Sequence, residues 1–380
     1  MFVLVTVYAH FLEIGGEMRI AIIGGTGVIG LELVKRLKKD KHHIAVVHKN
    51  PTKDPTMQGV TEIIADIFST RTFWKPLKEF KPDRIIHLIA KNSHLTNELI
   101  KHCASFCRRV VILSSYSVYA AHARMTKTEE GPIEPTPIKE SDNLRKSFDN
   151  TYYTKLKQNS QKIENGSIEL TQIDHIDQQH KEDYIGAEKV LINQSKVKCT
   201  IFRIAPVIGP QCKSHDLLPF ITMMKNSSSI ILNEKFAGWI FPTTYLDNFV
   251  AALAWSVPRK IKETVIYNMS CAQSISVLHL VQMIAQELKW QGQIGITTEK
   301  FEDDIGSIGD FKQDCHLDTS KLFKAGFKEP YDISESLRQT LKYEISLFDK
   351  KTCSEEIEKS KIKVVPKNTK FYDALTMTKV

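Results

Sequence analysis

Apolar and polar positions change period repeatedly along the first 210 residues, from strand-like to helix-like and back. Ile20 to Ile23 is a short unbroken apolar run, the mark of a buried strand. Leu31 to Leu37 then spaces its apolar side chains as one face of a helix. The alternation continues with strands at His43 to Val47, Thr61 to Ile64, Arg84 to Ile89 and Val110 to Leu113. Helices fall between them at Phe73 to Phe80 and Thr96 to Cys107. Tyr184 to Asn193 and Cys199 to Ile204 supply a last helix and a sixth strand. Strands and helices in strict alternation predict an α/β domain with a parallel, doubly wound sheet.

Residues 120–180 break this rhythm. They are rich in Lys, Glu, Thr, Asn and Gln, with Gly131-Pro132 and Pro135-Thr-Pro137. That composition predicts a surface insert, partly helical or partly disordered. From about Gln211 a smaller α/β lobe is expected, either with its own core or sharing the main one. It holds a short strand at Ile230 to Leu232 and amphipathic helices at Val277 to Leu288 and Ile333 to Leu347. Residues 348–380 show no core pattern and read as a tail. Residues 1–17, although apolar in part, add nothing to the first βα unit and read as an extension, explained by an upstream start or, alternatively, by an extra edge strand or a dimer contact.

Composition changes this picture little. The apolar fraction of 42% and charged fraction of 25% are those of a soluble globular protein. The apolar stretch at residues 2–14 is too short to span a bilayer and lacks a basic leader, so no membrane partner is expected. Net charge is +8, spread over the chain, which favours a solvated lysine-rich surface over a nucleic-acid surface. Seven scattered cysteines without a C-x-x-C pair predict reduced thiols in a cytoplasmic protein and no metal.

The chemistry concentrates at Gly24-Gly-Thr-Gly-Val-Ile-Gly30, between the first strand and the first helix. Gly24 permits the turn, Gly27 lets backbone approach a pyrophosphate at the helix N-terminus, and Gly30 lets helix and strand pack closely. The end of the second strand carries His48-Lys49 rather than an acid. An acid there binds a ribose 2′-hydroxyl, whereas a cation pairs with a 2′-phosphate. NADP is therefore expected ahead of NAD.

Further segments follow in a fixed order: Lys81-Pro-Asp-Arg-Ile-Ile-His-Leu-Ile-Ala90, Val111-Ile-Leu-Ser-Ser-Tyr-Ser-Val-Tyr119, Phe202-Arg-Ile-Ala-Pro-Val-Ile-Gly-Pro210, Tyr245-Leu-Asp247 and Ile266-Tyr-Asn268. Together with the glycine turn they resemble the extended short-chain dehydrogenase/reductase superfamily, in its nucleotide-sugar epimerase and dehydratase group. The resemblance implies a Rossmann domain over residues 18–210, a substrate lobe over 211–347, and a small or sugar-like substrate. It implies that Gly24, Thr26, Gly27, Val28, Ile29 and Gly30 line the pyrophosphate and that Asp66 and Ile67 flank the adenine. It also implies that Leu88, Ile89 and Ala90 run beneath the cofactor, that Ser115 is the catalytic hydroxyl, and that Ala205, Pro206 and Val207 lie by the nicotinamide. A homodimer is compatible with it.

One element departs from the family pattern, which needs Tyr-x-x-x-Lys on one helix for proton transfer. Tyr153 and Lys157 have the spacing but lie within the polar insert. The helix that fits by position, His180 to Leu191, puts His180 at the tyrosine position and Tyr184 at the lysine position. Three readings remain open: an insert that delivers Tyr153 and Lys157, modified acid–base work by His180 or Tyr184, or a binding or regulatory protein without redox chemistry. A regulatory or RNA-binding role belongs to the last reading.

Overall fold

A computed structural model describes residues 16–67, 72–146, 182–212, 217–299, 311–352 and 368–375. The chain divides into two compact units. The described residues of the first fall within Met1–Ser114, Thr171–Phe202 and Val250–Tyr267. Those of the second fall within Ser115–Leu170, Arg203–Phe249 and Asn268–Val380.

The first unit is built on a seven-stranded sheet of β1 (Arg19–Ile23), β2 (His43–His48), β3 (Thr61–Ile64), β4 (Arg84–His87), β5 (Arg109–Ser115), β6 (Lys198–Ile204) and β7 (Val265–Met269). Its order is β7-β6-β5-β4-β1-β2-β3. β1 pairs in parallel with both β2 and β4, β2 with β3, and β4 with β5. The helices are α1 (Val28–Lys39), α2 (Trp74–Phe80), α3 (Ser93–Cys103) and α4 (Tyr184–Ile192). The doubly wound α/β architecture expected from the alternation is therefore the one observed. Its strands are apolar almost throughout because helices cover both faces; Ala21, Ile23, Val47, Ile85, Ile112 and Ile201 share one buried cluster with Leu77, Leu99 and Leu191.

Element ends move for identifiable reasons. The expected helix from Thr96 to Cys107 begins earlier, at Ser93, because the Asn92 side chain accepts from Leu95 N at 3.0 Å and caps it. It ends at Cys103, where Phe106 N and Cys107 N turn back onto the Cys103 carbonyl. β4 stops at His87, so Leu88 and Ile89 belong to the loop that follows it.

The second unit corrects two expectations. Residues 120–126 do not lie on the surface, while most of residues 127–146 are exposed, as expected of an insert. Ala120–Met125 is a helix whose residues, apart from Arg124, are buried, and Ile138 bridges Leu317 in parallel. Polar side chains hold this segment. The buried Arg203 donates to the Glu140 carbonyl and to Tyr119 Oη, both at 3.0 Å. Tyr119 Oη donates to Asn268 Oδ1 at 2.6 Å, and Asn268 Nδ2 donates to the Ile138 carbonyl at 2.8 Å. Residues 147–181, with Tyr153, Lys157 and His180, lie outside the described residues. The tail also carries structure: Lys370–Asp373 is a strand, antiparallel to Gln293–Thr297, which in turn runs parallel to Ser229–Asn233. Val277–Leu288 is a helix with the expected bounds. Among the described residues, no helix is long and apolar enough to cross a membrane, and no group of side chains could hold a metal ion.

Candidate functional site

Strand order reverses between β1 and β4: the chain winds outward to β2 and β3 on one side and to β5 and β6 on the other. The loops leaving two such strands diverge and open a crevice at their carboxyl ends, where ligands of this architecture bind. The glycine turn leaves β1 and Leu88 to Lys91 leave β4, so both walls come from this point. The walls touch. Gly24, at φ +86°, donates its N–H to the Val47 carbonyl at 2.9 Å, and a Cβ on it would stand 3.1 Å from the Ile89 side chain. Leu88 N continues the ladder to the Ile23 carbonyl at 3.0 Å.

The remaining glycines have separate tasks. A Cβ on Gly30 would lie 2.5 Å from the Gly25 backbone, so α1 seats against the turn only with glycine there. A Cβ on Gly27 would meet nothing within 4 Å. Gly27 is exposed and is the N-cap of α1, with no side chain to bond the first N–H groups and no acid in the first turn. Thr26, Val28 and Ile29 beside it are half-buried. The start of α1 thus presents unsatisfied N–H donors and the positive dipole end to open space, which suits a phosphate.

At the rim, Lys49 is exposed and its Nζ lies 2.9 Å from Asp66 Oδ2. The sequence placed these residues at opposite ends of an adenosine; the fold pairs them. His48 is turned inward. Its ring is buried, with Nδ1 2.7 Å from the Asn50 carbonyl and Nε2 2.9 Å from Glu62 Oε2, so it serves the β2–β3 edge rather than facing the rim. Ile67 is half-buried in the turn after Asp66.

Beyond β4, Ala90 is buried, and the Lys91 carbonyl accepts from Asp183 N at 2.8 Å. Lys91 Nζ pairs with Glu182 Oε1 at 2.5 Å. This contact pins the start of α4 to the crevice wall. The Asp183 side chain caps α4 by accepting from Gly186 N at 2.9 Å, with Asp183 itself in non-helical backbone. The described helix therefore begins at Tyr184, while His180 lies outside the described residues. Glu188, one turn after Tyr184 on the same face, is buried and accepts from Ser114 Oγ at 2.5 Å. That bond orients the face toward β5, with Tyr184 at the helix end nearest the loop after β4. Sequence reasoning missed Lys91, Glu182 and the Ser114–Glu188 pair. Lys91 directly follows the recognised Ile89-Ala90, but its partner lies 91 positions away.

His87, the last residue of β4, is buried, and burial pulls its pKa down to about 3, so the ring is neutral. Its Nδ1 accepts from Ile89 N at 3.3 Å and shapes the loop. The remaining expected residues belong to the second unit. Ser115 Oγ accepts from Ser117 N at 3.2 Å and from Ser117 Oγ at 2.7 Å, capping the turn Tyr116–Val118. Ala205 N donates to the Met269 carbonyl, Thr244 N donates to the Pro206 carbonyl, and Val207 pairs with Thr244.

Comparison with known proteins agrees with this geometry. Residues 20–141 match the model of the NAD dependent epimerase/dehydratase family. A curated relative, the 2′-dehydrokanamycin reductase of Streptomyces kanamyceticus, is 24% identical over 124 residues, which is 33% of this chain and 32% of that protein. The chain thus spans about a third of the length of that relative. Among solved structures, the Bordetella bronchiseptica enzyme WbmG, in complex with NAD and UDP, superposes with a TM-score of 0.59 at 16% identity, covering 88% of this chain and 96% of that one. The UDP-N-acetylglucosamine 4-epimerase of Methanobrevibacter ruminantium M1, in complex with UDP-N-acetylmuramic acid, gives 0.58 at 18% identity, covering 88% and 100%. The matched segment, residues 20–141, is similar to the NAD dependent epimerase/dehydratase family, and the fold of the chain is the one these solved structures share.

Proposed function

We propose that this chain is a nicotinamide-dinucleotide-dependent reductase, epimerase or dehydratase acting on a small or sugar-like metabolite, with NADP preferred over NAD. The observation that carries the reading is the start of α1: an exposed Gly27 with open space above it, at the strand-order reversal, offering uncapped N–H groups. Gly24, Thr26, Val28, Ile29 and Gly30 would hold the pyrophosphate. Asp66 and Ile67 would border the adenine, and Leu88 to Ala90 the middle of the cofactor. Such a cofactor supplies hydride chemistry when bound.

The chain's own residues bind and orient. Lys49 would meet a 2′-phosphate, sharing its charge with Asp66. Ser115, with Ala205 to Val207, would face the reacting end. Tyr184 would donate a hydrogen bond there and bring no positive charge. A neutral partner leaves the proton-transfer group without a cation to tune it, so turnover should be slow. Tyr184→Phe and His180→Ala should each change cofactor affinity or rate, while Tyr153→Phe should change neither; loss of activity in Tyr153→Phe alone would move the chemistry to the insert.

The absence of a lysine four positions after Tyr184, where Glu188 stands, favours a second reading: a dinucleotide-binding regulatory or RNA-binding protein without turnover. Cofactor oxidation with candidate sugar-nucleotide and small carbonyl substrates, run beside salt-dependent RNA binding, separates the two. Turnover supports the first. Cofactor binding without turnover, with RNA affinity that falls as salt rises, supports the second.

A further inference from the structure

The second unit contains a cleft of about 370 Å³ whose lining joins apolar surface, Ile133 included, to several charged side chains. Arg124, Lys127 and Lys312 line it, opposite Glu129 and Glu130. The arginine is the unusual member. Its Nε and Nη1 are buried and make no hydrogen bond. Glu129 Oε2 lies 3.7 Å from Arg124 Nη1, too far for a hydrogen bond. The two oxygens of Glu129 are engaged elsewhere: both accept from Lys146 N, at 2.9 and 3.1 Å, and Oε1 also lies 3.9 Å from Arg145 Nε.

Two further features show that the cleft is built. Gly131, at φ +155°, lies close to the guanidinium, and a Cβ there would come within 2.4 Å of Arg124 Nη2. Glycine is what lets the arginine lie in that wall. The two segments that form the walls are fastened together: Glu134 N donates to Gln313 Oε1 at 2.7 Å, and Gln313 Nε2 donates back to the Glu134 carbonyl at 3.2 Å. Trp239 Nε1 donates to the Gln313 carbonyl at 3.0 Å and fixes the second wall to the unit.

Two buried guanidinium nitrogens without a hydrogen bond are costly unless something accepts from them. We propose that this cleft is a binding site for a small oxyanion, the carboxylate or phosphate group of a ligand, held by Arg124 with help from Lys127 and Lys312. The planar donor fork of arginine matches two oxygens of either group, and the lysines add charge without geometric demand. The volume lies at the small end of ligand pockets, so the group belongs to a small metabolite rather than a chain.

The test titrates the full chain with inorganic phosphate and, separately, with malonate, by calorimetry and by thermal shift. Lys127 is exposed, so Lys127→Gln should melt like the parent before anion is added. Saturable binding of at least one anion is expected, weakening as sodium chloride is raised. Affinity should fall about tenfold in Lys127→Gln and about tenfold in Arg124→Lys, which keeps the charge and loses the fork. Phosphate alone binding assigns the site to phosphorylated ligands, and malonate alone to carboxylates. Failure of both anions to bind the parent, or equal affinity in parent and Lys127→Gln, overturns the proposal.

Discussion

Gly30 and Gly27 lie three residues apart and answer to opposite demands. Gly30 is pressed against the Gly25 backbone, and no neighbouring side chain can move to relieve a Cβ there. Gly30→Val should therefore lower the melting temperature, by overpacking worth roughly 1–3 kcal/mol. Gly27 has no such constraint in the chain itself. Lys49 is the other residue whose role is decided by a neighbour. Its pairing with Asp66 is exposed and adds little stability, but it competes with any phosphate brought to the rim. Lys49→Ala should weaken NADPH binding several-fold and leave NADH nearly unchanged. Asp66→Asn should strengthen NADPH binding by releasing the ammonium. Fluorescence titration of both variants with both cofactors checks this, and a parent that prefers NADH would contradict the reading of the rim.

At the scale of elements, the strands of the first unit were readable because each is a dense apolar run, and a buried parallel strand needs little else. The start of α4 at Tyr184 was expected as well, but its cause, the Asp183 cap and the main-chain bond to Lys91, a residue distant in sequence, was not readable. Asp183→Ala should cost about 1 kcal/mol by removing the cap. Residues 120–126 were misread as surface for a related reason: the segment is tied down by the Glu134 and Glu140 backbone and the Glu140 carboxylate, which bond Gln313, Arg203 and Asn268, and composition does not reveal such partners. The Lys370–Asp373 strand is too short to announce itself and is defined by its partner. β4 carries a pH dependence at its last residue. Burial holds the pKa of His87 near 3, below the ordinary 6.5. Below pH 6.5 the unfolded chain takes up a proton that the native ring refuses, so stability falls with pH between about 6.5 and 3, by up to about 1.4 kcal/mol per unit. The buried His122 of the second unit, also lowered to about 3 by burial with Arg145 adding to it, contributes in the same direction. Urea unfolding at pH 7 and pH 5 should show the loss, and His87→Gln should flatten the slope; an unchanged slope would mean that the ring takes up its proton in the native state.

For the molecule as a whole, the glycine turn and the order of strands were legible, and they define the crevice. The side chains that finish its walls, Lys91 with Glu182 and Ser114 with Glu188, come from segments far apart in the chain and became visible only in the fold. The central claim is that the start of α1 binds the pyrophosphate of a nicotinamide dinucleotide. The most direct measurement is calorimetric titration of NADPH into the parent chain and into Gly27→Val, with the melting temperature of each recorded beforehand. A side chain at position 27 meets nothing of the protein and enters the space the pyrophosphate needs. The parent should bind saturably, and the variant should melt like the parent and bind at least a hundred-fold more weakly, about 2.7 kcal/mol. No binding by the parent, or undiminished binding by a folded Gly27→Val, would contradict the account.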